Sequence, residues 1–190
     1  MNERNKNTKE ALAESLKKRM IHHSFERITI KEITDGAGFI RPTFYNHFQD
    51  KYDLLEWIFH EDVIRPSEPF FAKGEYRKAV QQILIAIEKE KEFYMRAVKI
   101  QGQNAFQDIV FQSFSRVLRK VLMEKTSHPD EMPHLFRPEI LAEYYANAET
   151  FLLMKWLENG VRISAAEVEK AHWFLIAVPF ENIVQEISAQ

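Results

Sequence analysis

Between Arg41 and Lys51 the chain carries Arg41, Thr43, Tyr45, Asn46, His47 and Lys51. All are hydrogen-bonding side chains, and no nucleophile is paired with a base among them. Their chemistry is recognition. Arginine and asparagine bond bidentately to base edges in the major groove, which makes Arg41 and Asn46 the base-reading candidates. Tyr45 and Lys51 suit phosphate oxygens, which position a protein on a duplex without carrying sequence information. A solvated helix face has a similar composition, so the frame around these residues must decide.

That frame is two short helices and a turn. Thr29 and Glu32 have the spacing of a capping box. Ile30, Ile33 and Ala37 fall at helical spacing and pack inward. Gly36 and Gly38 supply a turn with left-handed backbone. Pro42 suits the first turn of a second helix, which Phe44 and Phe48 anchor to the core. Asp50 caps a third. A cation as early in that helix as Lys51 opposes the helix dipole, so a nearby phosphate explains it better than helix stability does. Helices joined in this way form a helix-turn-helix, whose second helix enters the major groove of double-stranded DNA.

The block resembles the DNA-binding unit of the TetR (tetracycline-repressor) family of bacterial regulators. The matching residues are Thr29, Glu32, Ile33, Ala37, Gly38, Thr43, Phe44, Tyr45, His47, Phe48, Lys51 and Leu54. Ile40 departs from the pattern, because the family often has Ser or Thr just before the basic residue. One phosphate contact and one helix cap are therefore in question. The stretch Phe151 to Gly160 is similar to a branch that includes regulators of dihydroxyacetone kinase operons. The resemblance implies DNA contacts from Thr29, Arg41, Thr43, Tyr45, Asn46, His47 and Lys51. It also implies a homodimer on a two-fold operator and repression by blocking a promoter.

Composition sets further bounds. Net charge is −2, but residues 1–51 hold 10 Lys/Arg against 7 Asp/Glu, and residues 52–190 hold 16 against 21. Positive charge gathers where the helix-turn-helix lies. With no cysteine there is neither a disulfide framework nor a thiolate metal site, which fits a cytoplasmic protein. Met1 to Lys9 is polar with no apolar signal core after it, and the apolar run from Ala171 to Phe180 is too short to span a membrane. His22 and His23 point about 100° apart on a helix and cannot share one ion. The histidines read as structural or surface, with no metal and no cofactor. There is no Gly-rich phosphate loop, H-E-x-x-H or G-x-S-x-G, so an enzyme is not expected.

The expected fold is all-α. A helix-turn-helix domain spans residues 1–66, with helix one at about 8–23 and a fourth helix from 51 to a break at Arg65-Pro66. Residues 67–190 form a helical sensing and dimerisation domain, with helices at about 75–90, 92–101, 104–126, 137–158 and 164–187. Pro179 should kink the last. Helices 137–158 and 164–187 are apolar on most sides and must be buried on most sides. A symmetric partner provides this through a four-helix interface holding Leu141, Tyr145, Leu152, Trp156 and Phe180. Core packing is the first reading of the C-terminal aromatics. The alternative is an effector pocket lined by Phe93, Tyr94, Phe106, Phe111, Tyr144 and Phe151. Control by a protein co-regulator, with activation in place of repression, stands beside control by a small molecule.

Overall fold

A computed structural model describes residues 3–102 and 105–188, and among them the chain is helical without strands. The first unit contains α1 (Glu3–His22), α2 (Ile30–Ala37), α3 (Arg41–Tyr45) and α4 (Lys51–Phe59). Leu12, Leu16 and Met20 of α1 are sealed from water, together with Ile33, Phe44, Leu54 and Leu55. Two of the short helices, α2 and α4, are capped by their own sequence. The Thr29 hydroxyl accepts from the backbone N–H of Glu32, whose carboxylate accepts from Thr29 N. Asp50 accepts from the N–H groups of Tyr52 and Asp53 at 2.7 and 2.9 Å. Asp53 in turn accepts from Gln49 N.

The two turn glycines do different work. Gly38 is left-handed, with φ 76°, and its N–H bonds the carbonyls of Asp35 and Thr34. Gly36 is helical, correcting the expectation of a second left-handed residue. It is small because α1 is close: an added Cβ would sit 2.4 Å from Ser15 Oγ.

The helix does not break at Arg65-Pro66. A π turn (His60–Ile64) leads straight from α4 into α5 (Arg65–Ala72). Pro66 has no N–H to offer the carbonyl of Asp62, and a wider turn just before it absorbs the missing bond. The Ser67 hydroxyl bonds Ile64 O at 2.6 Å within the same stretch. The chain turns away only at Gly74, where φ is 73°.

The remaining elements are α6 (Tyr76–Lys89), α7 (Lys91–Ala97), α8 (Phe106–Lys125), α9 (Pro138–Glu158), α10 (Ala165–Ala177) and α11 (Phe180–Ser188). The pairing of α8 with α9 is the most extensive in the molecule; α6 packs against α5 and α10, and α1 against α7. A Ser164–Glu167 capping box starts α10, and Glu88 of α6 accepts from Ala165 N at 3.0 Å. Asn159-Gly160 stops α9, with Gly160 left-handed. Pro179 divides the last helix where a kink was expected. Val178 before it is extended (φ −100°, ψ 123°), as the proline ring requires.

Candidate nucleic-acid interface and the cavity behind it

The outer surface of α3 and its ends present Arg41, Tyr45 and Asn46 to solvent, with Thr43 and His47 half-buried beside them. Phe44 and Phe48 point the other way into the core, which fixes the orientation of α3. The Arg41 guanidinium donates to Tyr45 Oη at 3.1 Å and lies over its ring, 5.6 Å from the centroid. Because the tyrosine oxygen accepts that bond, its own proton stays free to donate to a phosphate. Ile40 is the N-cap of α3, makes no side-chain cap, and is 70% exposed. The cap questioned from the sequence is absent.

Two residues expected at DNA are engaged elsewhere. The Thr29 hydroxyl accepts from Glu32 N and donates to Glu32 Oε2 at 2.8 Å, so it is committed to its capping box. Donation from the Thr29 backbone N–H first, and from its hydroxyl next, holds the Glu32 carboxyl below its ordinary pKa. Lys51 Nζ reaches the carbonyls of Phe25, Glu26 and Ile28 at 2.8, 3.0 and 3.0 Å. These close the 3-10 turn Phe25–Arg27, and the ammonium sits 4.7 Å from the centre of the Phe25 ring. All three ammonium protons have acceptors inside the protein, so these carbonyls account for a cation here as well as a nearby phosphate would. Burial pushes its pKa down, partly offset by Glu26 and Asp50.

The rod formed by α4, the π turn and α5 links this surface to the rest of the molecule. Asp62 of the π turn meets Lys17 of α1 at 2.5 Å, with Glu90 at 3.9 Å from the same ammonium. Burial alone would lower the Lys17 pKa; the hydrogen bond and charge of Asp62, joined by Glu90 and Glu14, outweigh it and raise it. Tyr94 lies near these carboxylates, sealed and without a partner for its hydroxyl. Its pKa is pushed well up by burial, then by Asp62 and Glu90, so the phenol stays neutral.

At the far end of the rod, Ile64 and Phe71 wall a cavity of about 170 Å³ between α5, α6, α8, α9 and α10. Its other walls are mostly apolar, with Tyr76, Phe114, Tyr145 and Trp173 supplying rings. The exceptions are Glu149 and His172, whose Nδ1 lies 3.0 Å from Glu149 Oε2. None of the six aromatics expected to line a pocket lines this cavity. Phe93, Tyr94 and Phe106 are buried in the core, where Tyr94 stacks on Phe106 at 5.8 Å. Phe111 packs on the edge of that core, while Tyr144 and Phe151 are 69% and 63% exposed. Spacing cannot separate such roles, because each ring sits at a helical position compatible with all of them. A lone acid on the inner side of an apolar helix, Glu149, was the available signal.

The residues expected at a dimer interface also divide. Phe180 is 74% exposed and Leu141 half-buried. Tyr145 and Leu152 line the cavity. Trp156 is buried within one chain, and its Nε1–H donates to Ile163 O at 2.9 Å, so it belongs to the fold of α9 onto the loop before α10. Among the described residues no three His, Cys, Asp or Glu side chains gather to hold a metal ion, and no helix is long and apolar enough to cross a membrane.

Residues 17–58, from mid-α1 to the end of α4, match the family described as bacterial regulatory proteins, tetR family; residues 74–171 match the C-terminal region of transcriptional regulators known as TetR_C_8. The chain belongs to the TetR family. Its regulators are transcription factors and not enzymes. The dhaKLM operon transcriptional activator DhaS of Lactococcus lactis is 24% identical over 126 residues, which span 65% of each chain, just short of two thirds of that relative. The solved structure of a dihydroxyacetone kinase operon activator DhaS superposes with a TM-score of 0.59 at 20% identity, covering 86% of this chain and 90% of that one. NalD of Pseudomonas aeruginosa, the secondary repressor of the MexAB-OprM efflux pump, gives 0.57 at 15% identity, covering 90% and 94%. At these identities the structures establish the shared TetR fold.

Proposed function

We propose that this TetR regulator is a cytoplasmic homodimer that reads a two-fold operator with α3, under the control of an effector in the C-terminal cavity. The DNA-binding unit takes residues 1–66 and the sensing and dimerisation unit residues 67–190. Arg41 and Asn46 address base edges and Tyr45 a phosphate, each standing on the outer surface that Phe44 and Phe48 hold in place. The dimer forms through the exposed apolar side chains of α9 to α11, among them Tyr144, Phe151, Leu175 and Phe180. Such a patch on a lone chain calls for a partner, and two half-sites require two reading heads at a fixed spacing.

The observation that carries this reading is the unbroken rod. One helix, continued through the π turn, begins just after α3 in the chain and ends as a wall of the cavity. An occupant pressing on Ile64 or Phe71 moves the same rod that Asp62 ties to α1 through Lys17. An effector controls DNA binding only by favouring one arrangement over another, and this rod is the element with both ends engaged.

The direction of control has two readings. Blocking a promoter is the simplest act of a bound dimer. The DhaS relative, however, is named as an activator, which supports activation as the second reading. Selection of binding sites from random duplexes tests the DNA part. Recovered sites should be two-fold symmetric, and Arg41→Ala or Asn46→Ala should relax preference at one position per half-site. Recovery of no symmetric site, or unchanged preference in both variants, would sink the assignment.

A further inference from the structure

We infer that the cavity takes a compact, single-ring organic amine, bound as a cation against Glu149. The inference rests on the reading of this cavity as the effector site and adds the chemical class.

Size comes first. The volume is about 170 Å³, and an apolar cavity of about 150 Å³ holds benzene. One ring with a short substituent fits within it. The walls suit a ring, because Phe71, Tyr76, Phe114, Tyr145 and Trp173 all contribute to them.

Charge then selects the substituent. Glu149 is the one carboxylate among the lining residues described, and neither Lys nor Arg lines the space. His172 Nδ1 lies 3.0 Å from one carboxylate oxygen without making an aligned hydrogen bond; no hydrogen-bond donor among the described residues reaches the other. Arg77, the nearby cation, lies instead over the Trp173 ring at 4.7 Å. An anionic ligand would enter an apolar space already holding a carboxylate whose only protein partner is a histidine. A purely apolar ligand would strip water from the open oxygen and return nothing, which is costly for a charged group. An ammonium satisfies that oxygen and gains from the surrounding ring faces.

The test uses the full-length protein and four probes of matched size: 2-phenylethylamine, 2-amino-1-phenylethanol, phenylacetate and ethylbenzene. Melting temperature and tryptophan fluorescence report binding. The two amines should bind at least tenfold more tightly than phenylacetate or ethylbenzene. Glu149→Gln should remove the amine preference, and His172→Asn, which keeps the carboxylate, should retain it. If Glu149→Gln does not fold, the wild-type ranking of amine over acid decides. Equal or tighter binding of phenylacetate or ethylbenzene overturns the class while leaving the cavity as an effector site. Amine binding that survives filling the cavity by Leu84→Trp overturns both. Failure of all four probes to bind overturns the class; the effector-site reading then stands or falls on whether Leu84→Trp changes DNA affinity.

Discussion

The DNA-binding unit and the C-terminal unit are built on opposite terms. In the first, α2 and α4 are closed by local side-chain caps, and the space between the helices is filled by residues such as Leu16, Ile33 and Phe44 with no exposure at all. In the second, the helices leave a cavity between α5, α6, α8, α9 and α10 and present large apolar side chains to solvent. A reading head must hold its side chains in one geometry. The sensing role proposed for the C-terminal unit needs room and a surface that another chain completes.

The contrast predicts unequal responses to equal insults. The largest is expected from Phe44→Ala, which empties a sealed aromatic site and should cost about 3–5 kcal/mol by denaturant titration. Phe151→Ala on exposed α9 should change the unfolding of an isolated chain by under about 0.5 kcal/mol. Equal losses would erase the distinction. Next in size is Leu16→Trp, which overpacks the first core and should cost about 1–3 kcal/mol. Leu84→Trp, on the cavity wall, should cost less than Leu16→Trp, because its added ring has space to enter. A cavity that cannot accept the ring would show the opposite order.

A third test concerns assembly. Phe151→Glu and Phe180→Lys place charge in the patch proposed to be covered by the partner. Light scattering at micromolar concentration should show a dimer for the wild type and monomer for the variants. A monomeric, folded wild type would contradict the four-helix interface.

Smaller effects separate structure from recognition within the reading head. Lys51→Met removes the bonds to Phe25, Glu26 and Ile28 and should lower stability by about 1 kcal/mol. Arg41→Ala should leave melting unchanged and weaken DNA binding. The smallest effect is on pH. Glu32 and Glu167 have folded-state pKa values below the ordinary 4.5, first through the backbone N–H groups of Thr29 and Ser164. A depressed carboxylate stabilises the fold above its unfolded pKa and loses that contribution as pH falls through the folded one. Stability should therefore decline below about pH 4.5, and less in a Glu32→Gln, Glu167→Gln double variant.

The sequence was legible where structure is local. Thr29 with Glu32, Asp50 before α4, and Phe44 four residues from Phe48 carry their own geometry, so the reading head and its orientation followed from spacing. It was not legible where a residue answers to something distant. Lys51 serves carbonyls on the other side of α2, and no spacing rule points to them. Trp156 looked like interface because its stripe is apolar, yet its indole closes onto Ile163. Pro66 looked like a stop until the π turn supplied another way past it. The cavity depends on five elements meeting, and periodicity along any one of them is silent about the gap they leave.

The central claim is that cavity and reading head are joined through the rod from α4 to α5. Its most direct test is the affinity of a selected operator duplex for Leu84→Trp protein, in which a side chain stands in for the ligand. Coupling between sites is typically about 1–3 kcal/mol, so affinity should change by about fivefold or more while the protein stays folded and dimeric. A Leu84→Trp protein that folds and dimerises as the wild type does, and binds the operator with unchanged affinity, would contradict the account.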